Sequence, residues 1–416
     1  MEKKKKARWY GPKQLMVMVY TAILMLIASG IAGGNNNTVF PILAEARGWD
    51  IALLNIVSGI ACCLVAVGVI IWSRLINKIG TKIVIAVGMF ISAALVVVFG
   101  MTQNLGVFLV VILLIGILSS TYKETGSMQL TANWWPTKKG IVLGFTTMGI
   151  VAMNVVYVPG MPVLLGKFGI TGGMIIVAII IAIVGVWGLF IKETPEAAGE
   201  YPDGNPDYGT DGMDINKMMR EYKSPFTVKK ICSDKNTWLI GIGSMLAFIA
   251  VMGFIASTIP NLLGMGYEFG FANAVFAVGG VFAFIGSFLF GFLDQKFGTK
   301  RAYAIYYVCL IVAFILCFFM AKGAGFVWVA CCIMFCAQGA GCNLLPSYVA
   351  TKYGRWDYGA AYQVIGTLFY LGAGLGIMST GFFHNPMTMY AFDLIIMIIG
   401  FILMMLSKAD FVGKRG

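Results

Sequence analysis

The sequence predicts an all-α membrane protein, with twelve transmembrane helices in two pseudo-symmetric six-helix bundles. Three observations carry that expectation. The chain of 416 residues is 59% hydrophobic and only 12% charged, with a mean hydropathy of +0.86. A soluble domain carries roughly 25% charged residues, and lipid leaves nothing to solvate exposed charge. Twelve stretches reach the about 20 apolar residues that a spanning helix needs. The basic residues gather in alternate loops.

The expected spans of the first half cover residues 15–40, 52–72, 83–101, 107–131, 141–165 and 172–191. Those of the second half cover 238–263, 271–293, 302–321, 326–350, 360–382 and 387–406. Ahead of span one, MEKKKKARWYGPKQ lacks the apolar core and cleavage site of a secretory leader and reads as a cytoplasmic tail. With that tail inside, the cytoplasmic segments hold 26 of the 30 Lys and Arg residues. The outer loops hold Arg47, Lys167 and Lys322, and Lys123 lies within span four. This is the positive-inside pattern. It predicts a multi-pass protein of the cell inner (plasma) membrane with both termini cytoplasmic. The net charge of +12 is then a topology signal facing anionic headgroups, and implies no nucleic-acid partner.

Spans six and seven are separated by residues 192–237. The part reading KETPEAAGEYPDGNPDYGTDGMD is rich in Pro, Gly and acid, as a flexible linker is. The part that follows alternates apolar and basic residues, which suits short helices at the membrane surface. The expected organisation is an N-terminal bundle (1–191), a cytoplasmic linker (192–237) and a C-terminal bundle (238–416). The nine cysteines form no CxxC pair, so they read as small buried hydrophobes and imply neither metal nor redox chemistry. No cofactor is expected. No Gly-Lys-Ser loop is present to cradle a nucleotide phosphate, so ATP is not the energy source. His384 is the sole histidine, in an outer loop, which rules out a histidine relay at membrane depth.

The halves repeat one another. NKIGTK from Asn77 returns as QKFGTK from Gln295, after the second span of each half. Such duplication is typical of transporters built from two six-span halves around a midplane site. The stretches Ser73-Arg74-Leu75-Ile76-Asn77-Lys78-Ile79-Gly80-Thr81-Lys82 and Gly291-Phe292-Leu293-Asp294-Gln295-Lys296-Phe297-Gly298-Thr299-Lys300 resemble the loop between spans two and three of major facilitator transporters. The usual acid is replaced by Asn77 or Gln295, with Asp294 one residue upstream. By that resemblance Arg74, Lys78, Gly80 and Lys82, and Asp294, Lys296, Gly298 and Lys300, belong to gating: a tight Gly turn with cations that cap helix carbonyls. A narrower resemblance lies in NWWPTKKGIVLGFTTMGIVAMNVV and SPFTVKKICSDKNTWLIG. Trp134, Trp135, Pro136, Lys138, Lys139, Gly140, Gly144 and Gly149 are similar to the span-four to span-five region of the oxalate–formate antiporter and monocarboxylate transporter group. Spaced glycines let helices approach closely.

The chemistry concentrates in LSSTYKETGSMQLTANWW, where Lys123 and Glu124 stand side by side within span four. A charge at this depth costs at least about 2.5 kcal/mol on insertion scales, so ionisable residues there mark sites by default. On an α-helix Glu124 aligns with Ser120, Ser127 and Thr131, and Lys123 with Ser119. That polar face must look into the protein or a wet cavity. In the functional reading Lys123 receives a substrate carboxylate and Glu124 carries a coupled proton, bound and released as the cavity opens to each side. In the alternative the two residues satisfy each other or Tyr122 and lock helix packing.

Further substrate-binding candidates are Asn35 and Asn36 in GGNNNTVFP, Asn154 and Tyr157 in span five, and Gln338 and Asn343 in span ten. Tyr362 and Gln363 in span eleven complete the set. Adjacent Asn35, Asn36 and Asn37 cannot all face one way, so some are expected to line the cavity and the others to join helices. Asp393, in span twelve, reads as a structural partner. The resemblance fails at the dianion site of the oxalate branch. Span eight has no basic residue, and Ile365 stands at the family's basic position in span eleven.

These readings predict a secondary active transporter moving a small organic monocarboxylate by alternating access, coupled to protons by symport or antiport, and working as a monomer. An alternative is an exporter or facilitator of a bulky amphipathic or hydrophobic organic acid, suited by the aromatic and Met residues. A membrane sensor that moves nothing is the reading from another class; it would need a larger cytoplasmic domain than the linker provides. A membrane enzyme is not expected.

Overall fold

The computed structural model describes residues 11–135, 139–205, 225–383 and 385–412, and they are helical apart from short connections. Among them, eleven helices are long and apolar enough to cross a membrane. The fifth expected span is divided. Its apolar part, Gly144–Val155, is short, and the chain resumes as Tyr157–Gly188. Within that run Gly169 takes φ 68° and turns span five into span six; a residue without Cβ meets no penalty there.

Local chemistry sets many helix ends. Asp50 caps span two (Ile51–Ile79) by accepting from the Ala52 N–H, and Asn104 caps span four by accepting from the Val107 N–H. Asp234 and Asn385 do the same for span seven (Lys235–Gly264) and span twelve (Pro386–Leu406). Each supplies an acceptor to a donor that the helix leaves unpaired. Span two meets span three (Thr81–Met101) at Gly80, φ 92°. Span eight (Phe269–Phe297) meets span nine (Thr299–Cys317) at Gly298, φ 82°. The repeated Gly-Thr-Lys motif thus makes the same left-handed turn in both halves.

Two spans are not uniform α-helix. Span one, Pro12–Arg47, contains a π segment at Gly30–Gly34, and span four contains another at Thr121–Ser127.

The helical run Ala324–Phe382 holds spans ten and eleven, Ala324–Tyr353 and Val364–Phe382. The Thr237 and Tyr353 hydroxyls lie 3.4 Å apart, and Leu368 packs against Gly241. Thr237 and Gly241 are about 6 Å apart along span seven, whereas a straight helix would separate Tyr353 from Leu368 by about 22 Å. The run therefore doubles back between them, and span ten lies antiparallel to span eleven.

Buried apolar side chains form two cores. One draws on residues 17–191, with Phe40, Phe99 and Phe108 in mutual ring contact. The other draws on residues 231–404, joined by Val151 and Val158 of span five. Ile83, Val87 and Ile91 of span three, Ile179 and Ile183 of span six, and Ile395 and Ile402 of span twelve are exposed. Lipid solvates such faces where water would not.

Candidate functional site

In span four, Leu105–Ser120 is α-helical, Thr121–Ser127 is π-helical and Met128–Trp134 is α-helical again. A π segment shifts the hydrogen-bond partner from four residues back to five. Two hydroxyls use that register. Thr125 donates to the Ser120 carbonyl at 2.6 Å, and Ser127 to the Tyr122 carbonyl at 2.6 Å. The faces therefore differ from those of a continuous α-helix. Ser120 packs against Gly68 of span two, and Thr121 against Gly88 of span three. The Tyr122 hydroxyl donates to Ser92 of span three, and Ser127 also donates to the Thr21 carbonyl of span one. Thr131 and Thr21 both meet the Thr146 hydroxyl of span five, at 3.2 and 3.1 Å. Most of the polar face seen in the sequence is thus used to join spans one, two, three and five. Lys123 is half-buried within this π segment, whose hydroxyl-bearing residues, with Ser120 just before it, meet spans one, two and three. The Glu124, Arg74 and Gln363 side chains lie outside the described set, as do Pro136, Lys138 and His384.

The three adjacent asparagines reach three different helices. Asn35 donates to the Ile31 carbonyl and accepts from the Tyr157 hydroxyl of span five at 2.8 Å. Asn36 donates to Asn55 and accepts from Ser58, both of span two. Asn37 crosses to the other half. Its amide donates to the Ile255 carbonyl of span seven at 2.8 Å and accepts from the Ile259 N–H at 3.3 Å.

Asn154 and Gln338 also meet across the halves. The Asn154 amide donates to Gln338 Oε1 at 2.8 Å, and both residues are buried. Asn343 donates to the Ser287 hydroxyl of span eight, and Tyr362 packs beside Gly366 and is half-buried. Asp393 is buried in span twelve, with neither carboxyl oxygen hydrogen-bonded.

The contacts between halves follow a pattern. They comprise Asn37 with span seven, Cys63 with the Leu371 carbonyl, and Asn154 with Gln338. Spans two and eleven touch through backbone: a Cβ on Gly59 would lie 2.6 Å from the Gly374 oxygen, and one on Gly381 2.6 Å from the Ala52 oxygen. A Cβ on Gly280 of span eight would lie 2.5 Å from Val155 of span five. All of these contacts sit from mid-depth to the side away from the termini.

On the terminal side, several bonds join residues of the same half. In the first half Glu193, which follows span six, accepts from the Lys82 N–H at 2.9 Å. It thereby supplies the acid that Asn77 lacks in the repeated loop. Asn133 and Trp134 donate to the Glu193 and Lys192 carbonyls, which gives the aromatic pair a structural use. In the second half Asp294 accepts from Ser347, and Lys300 donates to the Ser407 carbonyl at 2.8 Å, at the end of span twelve. A cation at a helix C-terminus meets the negative end of its dipole. Lys78 and Lys296 are exposed, the latter over the Phe292 and Phe297 rings. Glu193 escaped the sequence reading because nothing in its local pattern shows that it returns to Lys82. The π segment had one signal, the density of hydroxyls between Ser119 and Ser127.

The family model described as Major Facilitator Superfamily matches residues 22–377. Two solved structures of a bacterial homolog of the human lysosomal transporter Spinster are similar over 96% of this chain and 97% of theirs. Both are 14% identical to it. The inward-facing, occupied form has a TM-score of 0.70 and the inward-facing, unoccupied form 0.69. No curated protein matches the chain.

Proposed function

The chain belongs to the major facilitator superfamily and is a secondary transporter, and from that premise we propose that it carries a small organic monocarboxylate by alternating access, coupled to protons. The observation that carries the reading is Lys123. It is a half-buried cation within the π segment of span four. A carboxylate arriving there meets a positive charge where the low dielectric strengthens the attraction. The sequence of span four supplies one lysine and no arginine, which favours a monoanion over a dianion. The π segment supports the same reading, since single π turns within helices recur at functional sites. The likeness of the Trp134–Trp135 region to the oxalate–formate and monocarboxylate group favours this cargo class. That likeness also motivates Glu124, next along the segment, as the proton carrier.

In this reading the halves close on the far side through Asn37, the Gly59–Gly374 contact and the Asn154–Gln338 pair. The Gly80 and Gly298 loops, with their lysines, close the terminal side in the opposite state. The positive-inside bias makes the terminal side cytoplasmic, in the plasma membrane of the cell.

Uptake by proteoliposomes tests the proposal. An inward proton gradient should drive accumulation of a labelled short-chain monocarboxylate. Lys123→Ala should lower its uptake by about tenfold or more, the worth of one charge-assisted contact. Glu124→Gln should abolish the response to the gradient. Wild-type accumulation that ignores the gradient would defeat the proton role, and full uptake by Lys123→Ala would defeat the carboxylate role.

A further inference from the structure

Tyr157 stands just past a break in span five, where Val156 separates the helix Lys139–Val155 from Tyr157–Gly188. Its ring lies on the π segment of span one. A Cβ on Gly30 would come within 2.7 Å of that ring and one on Gly34 within 2.9 Å, so any other residue at either position would displace it. Its hydroxyl donates to Asn35 Oδ1 at 2.8 Å, while the Asn35 amide donates to the Ile31 carbonyl at 2.8 Å. One side chain thus clasps the segment Gly30–Gly34 at both ends. The same ring borders both buried cores, which places it where the halves approach.

That segment decides where the outer part of span one points. A π turn takes up one residue more than an α turn, and one residue is worth about 100° of rotation about the helix axis. Asn35–Arg47 follows it directly. There Asn36 meets Asn55 and Ser58 of span two, and Asn37 meets Ile255 and Ile259 of span seven. Straightening Gly30–Gly34 into α-helix would advance everything after it by about one position. Asn37 would turn away from span seven and Asn36 would take its direction. Three of the five residues are glycine, a poor helix former, so contacts rather than propensity hold the π geometry.

We propose that Tyr157 is the positioning residue of the far-side closure: its clasp on Gly30, Gly34 and Asn35 keeps span one in π register, and that register aims Asn37 at span seven. Far-side opening then includes release of the ring. Once it withdraws, the segment straightens, Asn37 rotates off Ile255 and Ile259, and the seam parts. Asn154, three residues before Tyr157 on span five, is bonded to the opposite half through Gln338. Movement of span five against span ten therefore reaches the ring directly. The inference rests on the reading of Asn37 as a far-side contact and is independent of the cargo.

The test reads the rotation of span one by cross-linking in the reconstituted full-length protein, with the nine native cysteines replaced. Ile259→Cys is combined with Asn37→Cys in one variant and with Asn36→Cys in another, and a short bifunctional thiol reagent is added. With Tyr157 in place, the 37–259 product should dominate. In Tyr157→Leu the ratio of the 37–259 to the 36–259 product should fall roughly tenfold or more, for one hydrogen bond and the ring contact. Tyr157→Phe keeps the ring and should move the ratio in the same direction by about fivefold, so the result does not hang on the larger substitution. With Cys63 as the only cysteine, Tyr157→Phe should also speed far-side maleimide labelling about fivefold. A ratio that neither Tyr157 variant changes overturns the inference and leaves Asn37 as a far-side contact. A ratio that shifts without faster labelling of Cys63 defeats the closure reading of Asn37, and this inference with it.

Discussion

Asn37 shows how much one side chain can hold at the residue scale. It engages a carbonyl and an N–H one turn apart on the opposite half. At about 1 kcal/mol for each neutral hydrogen bond, the two favour the far-side-closed arrangement by about 2 kcal/mol, roughly 30-fold. Asn37→Ala should shift the population toward far-side opening by that order. Cys63, which lies against the Leu371 carbonyl in the same seam, can report it. In a variant keeping Cys63 as its only cysteine, an impermeant maleimide added from the far side should react faster once Asn37 is replaced. An unchanged rate would show that Asn37 does not hold the seam. The sequence made it legible that three adjacent amides cannot share a direction. It could not say which one crosses the seam, because that depends on where span seven lies.

At the scale of elements, the informative contrast is between span four as read and as folded. Its existence, direction and depth follow from apolarity and from the charges at its flanks. Its faces do not, because a π segment between Thr121 and Ser127 rotates everything after it relative to an unbroken α-helix. The hydroxyls of Thr125 and Ser127, each bonded to a carbonyl five residues back, are the local reason. Helix pairs with backbone contact carry the next prediction. Gly59 and Gly374 bring spans two and eleven together where no side chain fits, as small residues do in membrane interfaces. Gly374→Val should keep the spans apart on the far side. Uptake should fall at least tenfold while thermal unfolding in detergent stays cooperative. Uptake within twofold of wild type would mean that this contact is not needed for closure.

For the whole molecule, much of the plan is written in composition and repetition. The Gly-Thr-Lys motif predicts matching turns in the two halves, and Gly80 and Gly298 make them. The loop chemistry is less symmetrical than the motif. Glu193, which follows the sixth span, serves the first half, whereas in the second Asp294 of the motif accepts from Ser347 of span ten and Lys300 donates to Ser407 at the end of span twelve. What composition could not supply is the state. The halves are joined from mid-depth to the far side, while on the terminal side Lys82 with Glu193, and Lys300 with Ser407, join residues of one half. A carrier that alternates must exchange these two conditions.

Distances between paired spin labels in the reconstituted protein test that most directly. One pair stands on the far side, at Glu45 and Glu268, and one on the terminal side, at Lys78 and Gln295, all exposed. Across a pH series with and without an added short-chain monocarboxylate, the far-side distance should lengthen as the terminal-side distance shortens. Two distances that stay fixed, or that change together, would contradict alternate closure of the halves.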